Sequence, residues 1–279
     1  MTTELDFIVG NVTQALRTSG LYDNAVIVFT SDNGGPLDHT TNWPLRGGKH
    51  SFWQGGVNVV AFVSGPLIPP ARRGSTYPGL AHSADWYATF VEGVAGGTIP
   101  NYTGPVPHDS LNLWDAIKSG GPSPRTQIIH QVSNSYFTEG VQAIQIGEMK
   151  LILGKPGDAR ILKWPGLAPD DVAFGETGGL VEAGTGHCRV GATVATKVTG
   201  PLCVEGCLYN LSHDVSESHN NVALRKHADL IKQMKAVLAA ASAAAPPVSR
   251  YFAEPDRFNA EKARICAASQ ATGVLEPVD

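Results

Sequence analysis

Charge is scarce in this chain. Only 16% of its 279 residues are Asp, Glu, Lys or Arg, and 21 basic against 25 acidic side chains leave a formal net charge of −4. With 42% of residues hydrophobic, the composition excludes an acidic or basic disordered tail. The near balance of charge gives no electrostatic footprint for nucleic acid. A long apolar run is missing as well. The longest stretch without a charged residue, His50 to Ala71, is interrupted by Gly55-Gly56, Gly65-Pro66 and Pro69-Pro70, which break any helix, so no membrane span is expected. No secretory signal peptide is expected in these first residues, since Met1 is followed by Glu4 and Asp6 where a basic n-region and an apolar run belong. Cysteine is rare: Cys188, Cys203, Cys207 and Cys266 are all there is.

What is present reads as α/β organisation. Leu5, Ile8, Val9, Val12 and Leu16 fall at helical spacing over 3–19, with Gly20 as the stop. Ala25 to Thr30 is a continuous β-branched run, the mark of a strand buried on both faces of a parallel sheet. Val57 to Val63 reads as a second such strand, and Ala81 to Val94 as a second helix. Gly/Pro-rich stretches at 96–108 and 119–124 place a domain boundary near 120, giving domains 1–120 and 121–279. Beyond it, Thr126–Val132, Val141–Ile146 and Lys150–Leu153 read as short strands, the last two joined by a Gly147-Glu148 turn. Residues 154–206 are irregular, and Asn220–Ala245 is a helix halted by Pro246-Pro247.

The chemistry gathers near the first strand. Asp32-Asn33 follow its carboxyl end, where open α/β sheets place their ligands. A carboxylate and an amide oxygen are hard donors suited to Ca2+ or Mg2+, and Gly34-Gly35 lets the backbone bend so that both reach one ion. An ordinary Asn-Gly turn is the simpler use of the same residues. Downstream, Leu45-Arg46-Gly47-Gly48-Lys49 sets a lysine beside glycines, a point charge suited to an anionic group. Trp53-Gln54-Gly55-Gly56-Val57 follows it.

The ordered blocks TSDNGG, NWPLRGGK, FWQGGV, AFVSGP and HSADWYATF resemble the type I sulfatases, most of all the arylsulfatase B (N-acetylgalactosamine-4-sulfatase) branch. Gly10–Thr13, Ser123-Pro124-Arg125, Met149-Lys150-Leu151, Cys207–Leu211 and Ala271–Val274 extend the resemblance. It implies part of an alkaline-phosphatase-like sheet with flanking helices, then a smaller α+β subdomain with an antiparallel sheet and a long helix. It also implies hydrolysis of sulfate esters of sugars or aryl alcohols, with Asp32 and Asn33 as Ca2+ ligands and Lys49 as a sulfate-binding residue. A secretory compartment, lysosomal or extracellular, follows for the parent protein, and the sequons at Asn11, Asn101 and Asn210 fit it. In that compartment a disulfide between Cys188 and Cys203 or Cys207 is expected, since their spacings match no zinc pattern. Cys266 resembles a family cysteine that pairs with a preceding half and is expected as a free thiol.

The departures are specific. The family's formylglycine precursor lies in a Cys-x-Pro-x-Arg motif, which no cysteine here occupies. Ser123-Pro124-Arg125 has the wrong spacing to replace it. The family's paired aspartates, upstream lysine and histidines are also absent. Gln54 stands for the usual glutamate, and Asn58 for the usual arginine. The expectation is therefore a C-terminal sulfatase portion, inactive and weakly metal-binding alone, whose N-terminal half is a missing partner. Two alternatives stand beside it: a non-catalytic sulfatase-like protein, and a phosphate-ester hydrolase of the same superfamily. His82 and Asp85 share a helical face and read as cap and core residues.

Overall fold

The computed structural model describes residues 2–99, 109–132, 140–161 and 203–244. Its residues cluster into two compact units that do not follow chain order. The first comprises the described residues up to Gly34, Asn58–Ile128 and Gln145–Glu148; the second comprises Gly35–Val57, Ile129–Ile144 and the described residues from Met149 on.

In the first unit, α1 (Thr2–Thr18) forms where the periodicity predicts it, and Gly20 at φ 72° turns the chain away. Its apolar stripe is not covered, however: Leu5, Ile8 and Val12 are 43%, 51% and 50% exposed. The expected parallel, fully buried strands are corrected too. β1 (Ile27–Thr30) pairs antiparallel with β2 (Ala61–Ser64), Phe29 opposite Phe62, and both strands are only partly buried. A β-branched run specifies an extended chain but not the direction of its partner. Stacking of Phe29 on Phe62, centroids 5.2 Å apart, joins this pair. The strand expected from Val57 begins only at Ala61, because Gln54–Val57 close into a short helix, α2, in the second unit. The helix expected from Ala81 begins as α3 (Asp85–Ala88) and runs into a π-turn, Thr89–Val94.

Asp85 sets that start. It is fully buried and takes Nε of Arg125 at 2.6 Å, Nη2 of Arg125 at 2.5 Å, and the backbone N–H groups of His82 and Leu111 at 2.8 and 2.9 Å. His82 Nδ1 in turn accepts from the N–H of Ala84. Asp85 is thus a core residue, while the N-cap of α3 is Ala84, with no side-chain cap. α4 (Trp114–Ser119) follows and ends on Gly120 at φ 75°.

The second unit is built on a four-stranded sheet of order β3-β4-β5-β6: β3 (Gln127–Gln131), β4 (Gln142–Ile146), β5 (Met149–Gly154) and β6 (Cys203–Asn210). The hairpin turn between β4 and β5 falls at Gly147-Glu148 as read from sequence. One sheet face alternates through Cys203, Cys207 and Tyr209 on β6 and Ile152 on β5, and with Val141, Ala143 and Trp53 it makes the apolar core. Tyr209 and Trp53 meet edge to face at 5.9 Å, and burial pushes the Tyr209 hydroxyl up to about 12. Opposite Tyr209 in register stands Lys150, wholly buried, its Nζ 2.8 Å from Oε1 of the equally buried Glu217. That contact is a close ion pair off the hydrogen-bond axis. α5 (Ala228–Ala244) starts later than the sequence suggests, after a 3-10 turn at Arg225–His227, and buries Met234 and Leu238 one turn apart.

The disulfide differs from expectation. Cys203 is bonded to Cys207, with Cα atoms 5.2 Å apart, and not to Cys188. Between two register pairs β5 advances from Ile152 to Gly154 while β6 advances from Cys203 to Cys207. The extra residues bulge out around Gly206 at φ 114°. That bulge draws two same-face cysteines within bridging distance. Cys188, Cys266 and the sequon at Asn101 lie outside the described residues.

Candidate functional site

Asp32 and Asn33 follow β1 after one intervening residue, Ser31, in the first unit. Ser31 N–H still donates to Val60 O at 3.0 Å, so the ladder reaches the edge of the pair. Asp32 is exposed, and its Oδ1 accepts the Asn33 N–H at 2.9 Å. Ser31 Oγ donates to Asn33 O at 2.9 Å, folding the backbone back at Gly34. Both side chains carry hard oxygens at a strand end, as the sequence suggests. They are two donors, where Ca2+ takes about six to eight. Among the described residues no group of three or more His, Cys, Asp or Glu side chains gathers at ligand distances. The donor chemistry suits calcium, but these residues do not fit it by themselves, and no step is derived through a metal.

Lys49 belongs to the second unit, on a turn built with unusual care. Asn42 uses its whole amide: Oδ1 accepts Gly35 N–H at 2.9 Å, and Nδ2 donates to Gly35 O at 2.9 Å and Gly47 O at 3.1 Å. Lys49 N–H also donates to Gly35 O. Ser51 Oγ accepts from Gly48 N–H and donates to Gly48 O at 2.7 Å. From further along the chain, Arg160 O accepts Gly47 N–H, Pro156 O accepts Phe52 N–H, and Gly157 O accepts Trp53 Nε1–H at 3.3 Å. The backbone is thus fixed while the Lys49 side chain stays exposed. Partial burial, then the Lys49 charge, pushes the neighbouring His50 below its ordinary range.

The glycines are required by close approach. A Cβ on Gly55 would stand 2.2 Å from Gly47 O and 2.5 Å from Arg46 O, and one on Gly48 would stand 2.4 Å from Gly35 O. These are backbone atoms that only a shift of the turn can clear. Gly55→Ala is therefore expected to cost about 1–3 kcal/mol and to displace the amide resonances of Arg46–Lys49 in a heteronuclear spectrum. Unchanged resonances there would show that the turn is looser than its contacts indicate.

The glycine turn and its lysine were legible in the sequence. Asn42, Ser51 and the 156–160 strap were not, because nothing in their spacing marks them. Lys150 left one trace: a charge between Met149 and Leu151 in an apolar strand. At Asn210, Oδ1 accepts from both N–H and Oγ–H of Ser212, while Asn11 is exposed on α1.

The fold is like that of solved sulfatases of the alkaline-phosphatase-like class. A chain from the Bacteroides thetaiotaomicron system for metabolism of multiple glycosaminoglycans superposes with a TM-score of 0.57 at 22% identity, covering 86% of this chain and 43% of that one. Ps i-CgsB in complex with k-i-k-neocarrahexaose superposes at 0.56 and 23% identity, over 85% and 42%. At such identities the likeness concerns the fold.

The sulfatase family model matches residues 1–96, the stretch that carries Asp32, Asn33 and Lys49. Arylsulfatase J of Mus musculus is 36% identical over 169 residues, covering 55% of this chain and 27% of that protein. Arylsulfatase A of Homo sapiens is 31% identical over 162 residues, covering 56% and 30%. A sulfatase of Formosa agariphila is 35% identical over 106 residues, covering 35% and 19%. The chain spans less than a third of the length of these relatives. No helix among the described residues is long and apolar enough to cross a membrane.

Proposed function

We propose that this chain forms part of a hydrolase of sulfate esters, of sulfated sugars or aryl sulfates, in the manner of the arylsulfatase B branch. The observation that carries this reading is the Lys49 turn: an exposed ammonium on a backbone locked by Asn42, Ser51 and Arg160, inside the family-matched stretch. An ammonium held in this way lowers the energy of a sulfate oxygen and of the charge that develops on the leaving oxygen. Asp32 and Asn33 are the proposed metal ligands, contributing two of the calcium contacts of a complete site. The division into a catalytic part, 1–120, and a subdomain, 121–279, belongs to the same reading, as does a secretory, lysosomal or extracellular setting.

The sequence holds no Cys-x-Pro-x-Arg, so it supplies no formylglycine to attack sulfur. The purified chain is therefore expected to leave 4-methylumbelliferyl sulfate intact and to lose calcium on dialysis. Calcium-dependent turnover that disappears in Lys49→Ala would overturn the inactivity. Turnover of the phosphate analogue with bound zinc or manganese would move the reading to phosphate esters.

A further inference from the structure

The Lys49 turn is gripped at both ends by one short loop. At its start, Arg46 Nε donates to Ser216 O at 3.1 Å; at its end, Gln54 N–H donates to Oε2 of Glu217 at 2.6 Å. Arg46 is also joined to the residues on either side of Gln54. Gly55 N–H donates to Arg46 O at 2.6 Å, and the Arg46 guanidinium lies 5.1 Å over the Trp53 ring. Two consecutive residues, more than 160 positions downstream, thus fix the feet between which Lys49 projects.

The gripping loop is itself preformed. Asp214 accepts Ser216 Oγ–H at 3.1 Å and the N–H groups of Ser218 and His219 at 2.9 and 2.8 Å. Glu217 N–H donates to Asp214 O. Asn220 Oδ1 takes the N–H groups of Leu208 and Val222, tying the loop to β6. Glu217 adopts φ 53°, uncommon for a residue with a side chain. That backbone accompanies a carboxylate buried with one oxygen on Gln54 and the other on Lys150. A carboxylate hidden from water and aimed at a backbone N–H of a different segment has a use beyond closing its own loop.

We infer that Glu217 is the positioning residue of the Lys49 turn, with Lys150 holding its carboxylate in place and Ser216 O fixing the opposite foot through Arg46. Glu217 touches no substrate on this account. It sets where the Lys49 ammonium stands, and so connects β5 and β6 to the Lys49 turn within the second unit. The inference rests on the sulfate-ester reading for its meaning, but its geometry is tested separately.

Two double variants of the full chain separate positioning from packing. Lys150→Met with Glu217→Leu replaces the pair by apolar groups and removes the acceptor for Gln54. Lys150→Met with Glu217→Gln also removes the charge but keeps a carbonyl oxygen for Gln54. Native-state amide exchange is read at Gln54 and Gly55, with the β5–β6 ladder as the reference for folding. The leucine variant is expected to lose about tenfold or more of its protection at Gln54 while the ladder keeps its own. The glutamine variant is expected to retain the wild-type pattern. Equal protection at Gln54 in the two variants would overturn the inference. Inorganic sulfate is then titrated against both, with Lys49 resonances as the readout. A difference in exchange without any sulfate-dependent shift, even in wild type, would leave the positioning intact and count against the sulfate-ester reading alone.

Discussion

Lys150→Met alone is expected to destabilise the second unit by about 3–5 kcal/mol, the cost of leaving one member of a buried pair without its partner. Lys150 and Glu217 are both fully buried. Burial pushes Lys150 below and Glu217 above their ordinary ranges, while each charge partly restores the other. Without the ammonium, burial raises Glu217 further above its ordinary range. A folded pKa raised above the unfolded value gives stability that is full below the ordinary glutamate range and lost as pH rises through the raised value. The penalty should therefore be smaller near pH 5 than near pH 8. The double replacement Lys150→Met with Glu217→Leu removes both desolvated charges and is expected to return to within about 1 kcal/mol of wild type, or above it. Urea titration of the β5–β6 amides measures all three variants. A single variant as stable as the double would mean that the pair is wetter than its burial indicates.

Asp85→Ala is expected to cost the first unit a similar amount, about 3–5 kcal/mol. It strips four donors at once: two from Arg125, whose side chain is only 10% exposed, and the backbone N–H groups of His82 and Leu111. Burial alone would raise the Asp85 carboxyl, but the Arg125 hydrogen bonds, the two backbone N–H groups and the Arg125 charge together hold it below the usual carboxylate range. A depressed folded pKa gives stability that is present above the ordinary aspartate value, about 3.9, and lost as pH falls through the lowered one. The first unit is thus expected to hold near pH 5 and to weaken below about pH 4. Asp85→Asn keeps the shape but removes the ionisation, so its acid titration should be flatter than that of wild type. An unaltered acid profile would show that other carboxylates govern acid unfolding.

The sequence specified local conformation better than partnership. The apolar stripe of α1 specified a helix, and Gly20 its end. The stripe did not specify a cover, and Leu5, Ile8 and Val12 stand exposed. The β-branched run at Ala25–Thr30 specified a strand, yet its neighbour arrives antiparallel, because direction depends on how the intervening chain returns. The Trp53 motif looked like a lead into a strand, but Gly55 and Gly56 let it wind against Gly47 and Gly48 instead. The strand end before Asp32-Asn33 and the glycine turn that carries Lys49 were legible because such features announce themselves locally. What holds Lys49 was not legible. Glu217 and Ser216 are distant in sequence from Gln54 and Arg46, and a buried carboxylate looks like any surface glutamate until the chain is folded.

The central claim is that Lys49 presents its charge to a sulfate group. The most direct measurement is a titration of the isotope-labelled chain with inorganic sulfate at constant ionic strength, following the Lys49 side chain and the Gly47 and Gly48 amides. Saturable shifts confined to that turn are expected, with a Kd on the order of 10 mM or weaker for so partial a site, and with their loss in Lys49→Ala. Shifts spread evenly over the surface, or shifts that survive in Lys49→Ala, would contradict the claim.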